Sequence, residues 1–218
     1  MCFINNQRGS MTIMVLWLMV LTGVMLVIGV NFAKAYAVKE KASIGAEQAS
    51  IAATDVIYDH VLTAVSDYDQ SLIGIGHGVI KGKSIRHRIE DEQQKIMWGS
   101  SMNTSQALQV AVNRVMKEEL PKNDILKDMV LEELDRAKDE IPSVVADTIV
   151  QNHGENSNYK IKMFDSQQRI VIESRAKFES VTDGNLFSRF TKKIPQVGKG
   201  PSIPFIENVD WPDQILSY

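Results

Sequence analysis

The sequence predicts an α+β protein in which a long N-terminal transmembrane helix continues as a stalk and is followed by a helix-covered antiparallel β-sheet. Three patterns support this fold class. Apolar residues are concentrated in one uncharged run near the N-terminus, from residue 9 to residue 33. Farther along, apolar residues recur at helical spacing between residues 104 and 151, and they alternate with polar residues between 159 and 180.

The uncharged run is long enough to cross a membrane. In residues 11–32, 17 of the 22 residues are hydrophobic. A helix over them would be about 33 Å long and would match a bilayer core of about 30 Å. Its polar exceptions cost little, because a helix pairs its backbone groups internally and threonine hydroxyls bond to the preceding turn. We therefore predict a short flank at 1–10 and a transmembrane helix at 11–32.

Two properties of this segment stay open. Ala35-Tyr36-Ala37 fits the small-x-small pattern of signal cleavage. The alternative is therefore a secreted or membrane-anchored extracytoplasmic binding module whose signal sequence is cleaved near Ala37. The second open property is orientation, since the lysines at 34, 39 and 41 follow the helix and only Arg8 precedes it. Taken literally, the positive-inside rule favours a cytoplasmic C-terminal side.

The helix is predicted to continue as a stalk at residues 33–70, since proline is absent up to residue 65 and Gly45 is the only glycine there. Small residues recur at steps of four and three and gather on one face: Ala42, Ala46, Ala49, Ala53 and Val56. Small side chains let another element approach closely, so this face could pack on a partner helix or on the chain's own globular part. The alternative is a solvated stalk.

Residues 71–103 are interpreted as a polar linker in which Gly74–Gly78 forms a flexible hinge. The preceding stretch Asp67–Ser71 lacks the glycine and glutamate positions of a calcium loop, so we expect a polar turn at a helix C-terminus. The histidines lie at no metal-ligand spacing and are interpreted as exposed or turn residues: His60, His77, His87 and His153.

The composition limits the chemistry that the chain can perform. Its 218 residues allow one modest domain, or one domain with an anchor, and its formal net charge is −3. Dispersed basic residues in a near-neutral chain exclude a nucleic-acid footprint, and the single cysteine, Cys2, excludes an internal disulfide or a cysteine zinc cluster. With no Gly-x-Ser-x-Gly elbow, we predict no enzymatic activity, no catalytic, cofactor-binding or metal-binding residues, and no cofactor.

Residues 104–218 are predicted to form an α+β domain. Thr104 caps a helix that ends at Pro121, a second helix follows Asn123 and ends at Pro142, and residues 143–151 form a short third helix. A turn at residues 165–168 joins the strands 159–163 and 170–180 into an antiparallel hairpin. Residues 203–205 are predicted to add an edge strand, and the helices pack on the apolar side of the sheet.

The N-terminal quarter resembles a known family. Gln7-Arg8-Gly9-Ser10, the apolar run and the stretch Asn31–Lys41 are similar to the N-terminal segment of the Flp pilus assembly TadE/TadG-like proteins, over about residues 7–54. Arg-Gly precedes the membrane helix, Tyr36 follows Asn31 by five residues, and a short basic cluster comes next. Asn31 stands where the family has aspartate.

The resemblance implies a non-enzymatic, single-pass protein of the bacterial cell membrane that is a structural or assembly component of a Flp/Tad-type pilus or related secretion apparatus. It implies an extracytoplasmic domain at 104–218. The expected partners are membrane lipid and proteins that contact the transmembrane and stalk helix, with no nucleic acid and no small-molecule substrate. Subunits cut after glycine carry glutamate five residues on, where this chain has Met14, so we expect an unprocessed protein on the TadG side of the family. The layout also resembles a pilin-like subunit.

Overall fold

One very long helix organises the molecule. The computed structural model describes residues 7–152, 159–176, 194–211 and 215–217, and its first element is helix α1 (Gln7–Gln70). At 1.5 Å per residue, these 64 residues form a rod of about 96 Å. The predicted membrane helix and stalk are therefore one continuous helix, and the fold is α+β as predicted.

The small-residue face of α1 is buried inside the molecule. Each of the five predicted positions is at most 9% exposed: Ala42, Ala46, Ala49, Ala53 and Val56. They pack against the chain's own globular part, so the solvated stalk is the wrong alternative for this face. The second half of α1 is consequently a core helix as well as a stalk.

Residues 71–103 contain two helices, α2 (Leu72–Lys81) and α3 (Ile85–Gly99). The sequence pattern had predicted a polar linker there. The predicted hinge at Gly74–Gly78 is wrong, because these residues lie within α2. Ser71 caps α2 by accepting a hydrogen bond from the Gly74 N–H at 3.0 Å, and Gly82 ends it in the left-handed conformation with φ 76°.

The polar stretch at the end of α1 also fixes α3. The Asp69 carboxylate accepts the backbone N–H groups of Ile85 and Arg86 at 3.0 and 2.8 Å. These are N–H groups of the first turn of α3, which have no partner within the helix. The prediction of a polar turn at a helix C-terminus is confirmed, and the turn in addition caps the helix that begins sixteen residues later.

Helices α4 (Thr104–Glu119) and α5 (Asp124–Gln151) flank a single 3₁₀ turn at Leu120–Lys122. The cap of α4 is Asn103 and not Thr104, since Asn103 and Gln106 form a reciprocal capping box. The helix follows Asn123 as predicted, and Asn123 is its cap, because its side chain accepts the backbone N–H of Leu126.

The predicted end of α5 at Pro142 is wrong. Pro142 removes one backbone donor from the helix interior. The apolar stripe of the helix nevertheless continues in register through Val145 and Ile149, both of which are buried. Packing of this stripe outweighs the lost hydrogen bond, so the predicted third helix is the last part of α5.

The strands β1 (Lys160–Lys162), β2 (Arg169–Ala176), β3 (Ile194–Ser202) and β4 (Ile215–Ser217) form one antiparallel sheet in the order β3-β2-β1-β4. The predicted hairpin is confirmed, with its turn at residues 165–168. The predicted extension of β2 through residues 177–180 lies outside the described residues.

The predicted edge strand at residues 203–205 is wrong, since a 3₁₀ helix begins at Pro204. One edge of the sheet is β3, which begins nine residues earlier and contains Pro195 and Pro201, and the other edge is β4. Proline cannot donate to the sheet, so an edge strand is where it is tolerated.

Strand β3 lies directly on α1. A Cβ atom added at Gly198 would be 2.1 Å from the carbonyl carbon and oxygen of Ala46. One added at Gly200 would be 2.5 Å from the hydroxyl of Thr54 and 2.8 Å from the carbonyl oxygen of Ser50. Small residues on both elements therefore allow the backbone of the strand to approach that of the helix.

Candidate membrane and assembly surfaces

The apolar segment of α1 is exposed, with almost no other part of the described protein packed on it. The described residues contain one helix that is long and apolar enough to cross a membrane, and no part of its most apolar window is buried inside the molecule. Large side chains project on all sides of it; Leu16, Trp17 and Met25 are 59%, 71% and 63% exposed. A helix that is apolar all round without protein cover requires lipid or partner helices around it.

Two polar side chains of this segment form hydrogen bonds to the backbone of the same helix. Thr22 donates its hydroxyl to the carbonyl of Leu18 at 2.7 Å, and the amide of Asn31 donates to the carbonyl of Val27 at 2.9 Å. A polar group without a partner would be costly in hydrocarbon, and these bonds reduce that cost. The segment is thus compatible with lipid along the predicted span.

Beyond the predicted span, which ends at Phe32, α1 continues without interruption to Gln70, a distance of about 57 Å. Two buried tyrosines bond it to the rest of the fold. The Tyr58 hydroxyl accepts a hydrogen bond from Asn113 at 2.7 Å, and the Tyr68 hydroxyl accepts one from Asn123 at 2.6 Å. Burial raises the pKa of Tyr58 to about 12, so this phenol stays neutral near pH 7.

His60 is held between two carboxylates of α5. Its Nδ1 lies 2.7 Å from Glu133 and its Nε2 lies 3.1 Å from Glu140. Burial by itself lowers the pKa of His60, but the hydrogen bonds and charges of the two glutamates outweigh this effect and raise it above its usual value. The interpretation of His60 as an exposed or turn residue is therefore wrong. It forms an ion pair between α1 and α5 when protonated.

A second charged cluster surrounds Glu119, whose side chain is only 1% exposed. Arg88 of α3 pairs with it, His77 Nε2 of α2 lies 3.5 Å from its Oε2, and Lys81 lies 3.9 Å from its Oε1. A buried carboxylate is tolerated where cations surround it. The cluster joins α2, α3 and α4, and the interpretation of His77 as an exposed or turn residue is wrong as well.

These clusters hold helices together. In the described part of the chain, no three or more histidine, cysteine, aspartate or glutamate side chains are placed to hold a metal ion. Both imidazole nitrogens of His60 are occupied by carboxylates. His87 is exposed as predicted, with 55% of its side chain accessible, and His153 lies outside the described residues.

Sequence reasoning missed both clusters because their members are far apart along the chain. Glu133 and Glu140 are 73 and 80 residues from His60. The only available signal was their spacing of seven, which places two carboxylates on one face of α5. Glu119 gave no signal, since a carboxylate at the end of an amphipathic helix is usually exposed.

Comparison with known proteins identifies a family match for the N-terminal part of α1. Residues 9–56 match the Tad family model, which is described as Flp pilus-assembly TadE/G-like. The match confirms the resemblance of the N-terminal segment. It covers the apolar run and also the buried alanine face as far as Val56. No curated protein matches the chain, and no solved structure does.

Proposed function

We propose, from the match of residues 9–56 to the TadE/G-like family model, that this chain is a non-enzymatic, single-pass membrane protein of a Flp/Tad-type pilus or related secretion apparatus. The match is the observation that carries the proposal. Anchored through residues 11–32 in the bacterial cell membrane, the protein exposes residues 40–218, including the α+β domain at 104–218, on the extracytoplasmic side.

The mechanism that we propose is mechanical. Because one helix is both the membrane segment and a core element, a force or displacement at either end passes along a continuous hydrogen-bonded rod. The exposed surface of the apolar segment supports packing against other membrane helices. Gly23 and Gly29 leave open space on it for a close neighbour. The partners of this segment would be membrane lipid and apparatus proteins.

The intact mass of the membrane-extracted protein tests the anchoring. We expect a mass that includes residues 11–32, and recovery in the membrane fraction. A soluble protein that begins at Val38 would refute the proposal and support the cleaved binding module. A reporter that is active only in the periplasm, fused after Tyr218, tests the membrane orientation and is expected to be active. Activity of a cytoplasm-active reporter at the same position would contradict the extracytoplasmic placement.

A segment exchange tests the role in assembly. In cells that lack the protein, we compare the natural chain with one in which residues 11–32 are replaced by an unrelated leucine-alanine helix of equal length. We expect both chains to reach the membrane and only the natural one to restore surface pili. Equal restoration would show that the segment acts as an anchor alone, and absence of any pilus defect without the protein would overturn the proposed function.

A further inference from the structure

Helix α2 turns its apolar side to solvent. Its five large aliphatic residues are exposed, with accessible fractions from 53% to 89%: Leu72, Ile73, Ile75, Val79 and Ile80. At 100° per residue these positions fall within an arc of about 160°. The opposite side, which faces the protein, contains the buried Gly74 together with His77 and Lys81. This distribution is the reverse of that of an ordinary surface helix.

Contacts on the inner side fix this orientation. A Cβ at Gly74 would lie 1.9 Å from the carbonyl oxygen of Tyr68, so the helix backbone sits against the end of α1. The His77 ring meets Tyr68 edge-on, with ring centroids 6.1 Å apart, and its Nε2 lies 3.5 Å from Glu119. Rolling the helix to bury its aliphatic face would break these contacts and uncover a buried carboxylate. The exposed face is thus a stable feature of the fold.

The size of the face suits a weak homodimer. Weighted by their exposed fractions, the five side chains present about 430 Å² of apolar surface, at roughly 30 Å² for each methyl or methylene group. Two copies would together bury at most about 900 Å² through this face, which is the size of a weak, transient interface. Anchoring in one membrane, which rests on the proposed function, raises the effective concentration of the copies and makes a weak contact sufficient.

The pattern of the face indicates which occupant fits. From residue 72 to residue 80 there is no lysine, arginine, aspartate or glutamate, and the one histidine points inward, so the face offers no charge complementarity to an acidic partner or to anionic lipid headgroups. The end of α1 also places α2 about 57 Å along the helix from Phe32, far from the bilayer of the anchor. An uncharged face of the same composition is the matching surface, and a second copy provides one.

The face is also nearly symmetric about Gly76. Leu72 and Ile80 lie four residues on either side of it, and Ile73 and Val79 lie three on either side. A Cβ at Gly76 would have nothing within 4 Å, so the centre of the face is open to a close neighbour. A two-fold axis through Gly76 would therefore bring Leu72 of one copy against Ile80 of the other, as an isologous contact requires.

We propose that the exposed face of α2 binds the same face of a second copy of this chain, in an antiparallel helix pair centred on Gly76. The axis brings the two Gly76 positions together. The pairing register is thereby specified residue by residue, which makes the proposal testable at single positions.

Cysteine cross-linking tests the centre of the pair. In full-length protein in membranes, with the only natural cysteine removed by Cys2→Ser, Gly76→Cys is expected to form a disulfide dimer under mild oxidation. Gly99→Cys is the matched control, because Gly99 also has open space around it and lies outside the face. Cross-linking of Gly76→Cys at or below the control level would overturn the proposal, whatever the membrane segment does.

Charge pairing tests the register. Leu72→Glu or Ile80→Lys alone is expected to reduce the Gly76→Cys cross-link about tenfold, since each places a charge in an apolar contact. Mixing the two variants is expected to restore it, because the antiparallel register places the introduced carboxylate of one copy against the introduced ammonium group of the other. Both positions are exposed, so thermal unfolding should not change.

The outcomes of this exchange separate the parts of the proposal. Failure of the mixed variants to restore the cross-link would refute the antiparallel register centred on Gly76. Binding of the face to anionic vesicles in place of dimer formation would refute the proposal that a second copy occupies it. Membrane recovery of each variant reports on anchoring separately, so a failure of the dimer is distinguishable from a failure of the proposed function.

Discussion

Replacing Gly198 by alanine tests the contact between β3 and α1 directly. The new methyl group would lie 2.1 Å from backbone atoms of Ala46 and 2.3 Å from the backbone nitrogen of Glu47. Backbone atoms of a helix cannot turn aside as a flexible side chain can. Ordinary contact begins at 3.4 Å, so the strand and the helix would have to separate by about 1.3 Å.

That separation would weaken packing along the whole α1–β3 contact. We expect a loss of about 3 kcal/mol in the free energy of unfolding, the upper end for overpacking a core. For a chain of this size, such a loss lowers Tm by about 6–12 °C. Gly200→Ala should cost less, about 1–2 kcal/mol, because its overlaps are smaller: the added methyl would lie 2.5 Å from the side-chain hydroxyl of Thr54 and 2.8 Å from the nearest backbone atom, the carbonyl oxygen of Ser50.

The assay is thermal unfolding of full-length protein in detergent, followed by circular dichroism. Gly99→Ala is the matched control: the added methyl meets nothing within 4 Å, and alanine favours helix, so stability should be equal or about 0.5 kcal/mol higher. If Gly198→Ala melts within about 2 °C of the natural protein, the strand does not lie on the helix at this distance and the packing argument fails.

Three further predictions concern the helix contacts. Folding raises the pKa of His60, so its stabilising contribution is complete below the unfolded pKa of about 6.5 and is lost as pH rises through the folded pKa. The difference in Tm between the natural protein and His60→Gln should therefore shrink between pH 5.5 and 8.5. A difference that stays constant over this range would contradict the ion pair. Asp69→Ala should cost about 1–2 kcal/mol, because it leaves the first two N–H groups of α3 without their acceptor while Ser84 still caps the third. Asp67→Ala removes no such acceptor and should be nearly neutral in the same thermal assay, so equal effects would refute this role of Asp69. Asn103→Ala should destabilise by about 1 kcal/mol and Thr104→Ala by clearly less in urea unfolding, and the opposite order would reinstate Thr104 as the cap.

Local patterns predicted the elements whose structure depends on nearby residues. The uncharged run defines the membrane segment, the alanine stripe defines the buried face of α1, and the alternation at residues 159–176 defines the hairpin. The periodic residues of α1 and of the hairpin are mostly the ones that are buried, whereas the uncharged run is mostly exposed. Sequence period and burial then report the same physical fact.

Other elements could not be predicted, because distant contacts determine them. α2 contains three glycines, which lower its helix propensity, and the helical spacing of its aliphatic residues does not tell which side of the helix faces the protein. β3 lacks alternation and contains two prolines and two glycines, and it is ordered by α1, from which it is about 150 residues away. The partners of His60 are equally remote. Tertiary packing overrides local preference in all three cases.

The contact between Gly198 and Ala46 also sets the order of events during biosynthesis. The ribosome makes the alanine face of α1 about 150 residues before the strand that covers it. Until then, that face has no cover from β3, and the domain cannot reach its final packing. Completion of the domain must therefore come late in translation, after the apolar segment has long been available for insertion. With the extracytoplasmic domain that we propose, the chain would cross the membrane unfinished and close its core on the far side.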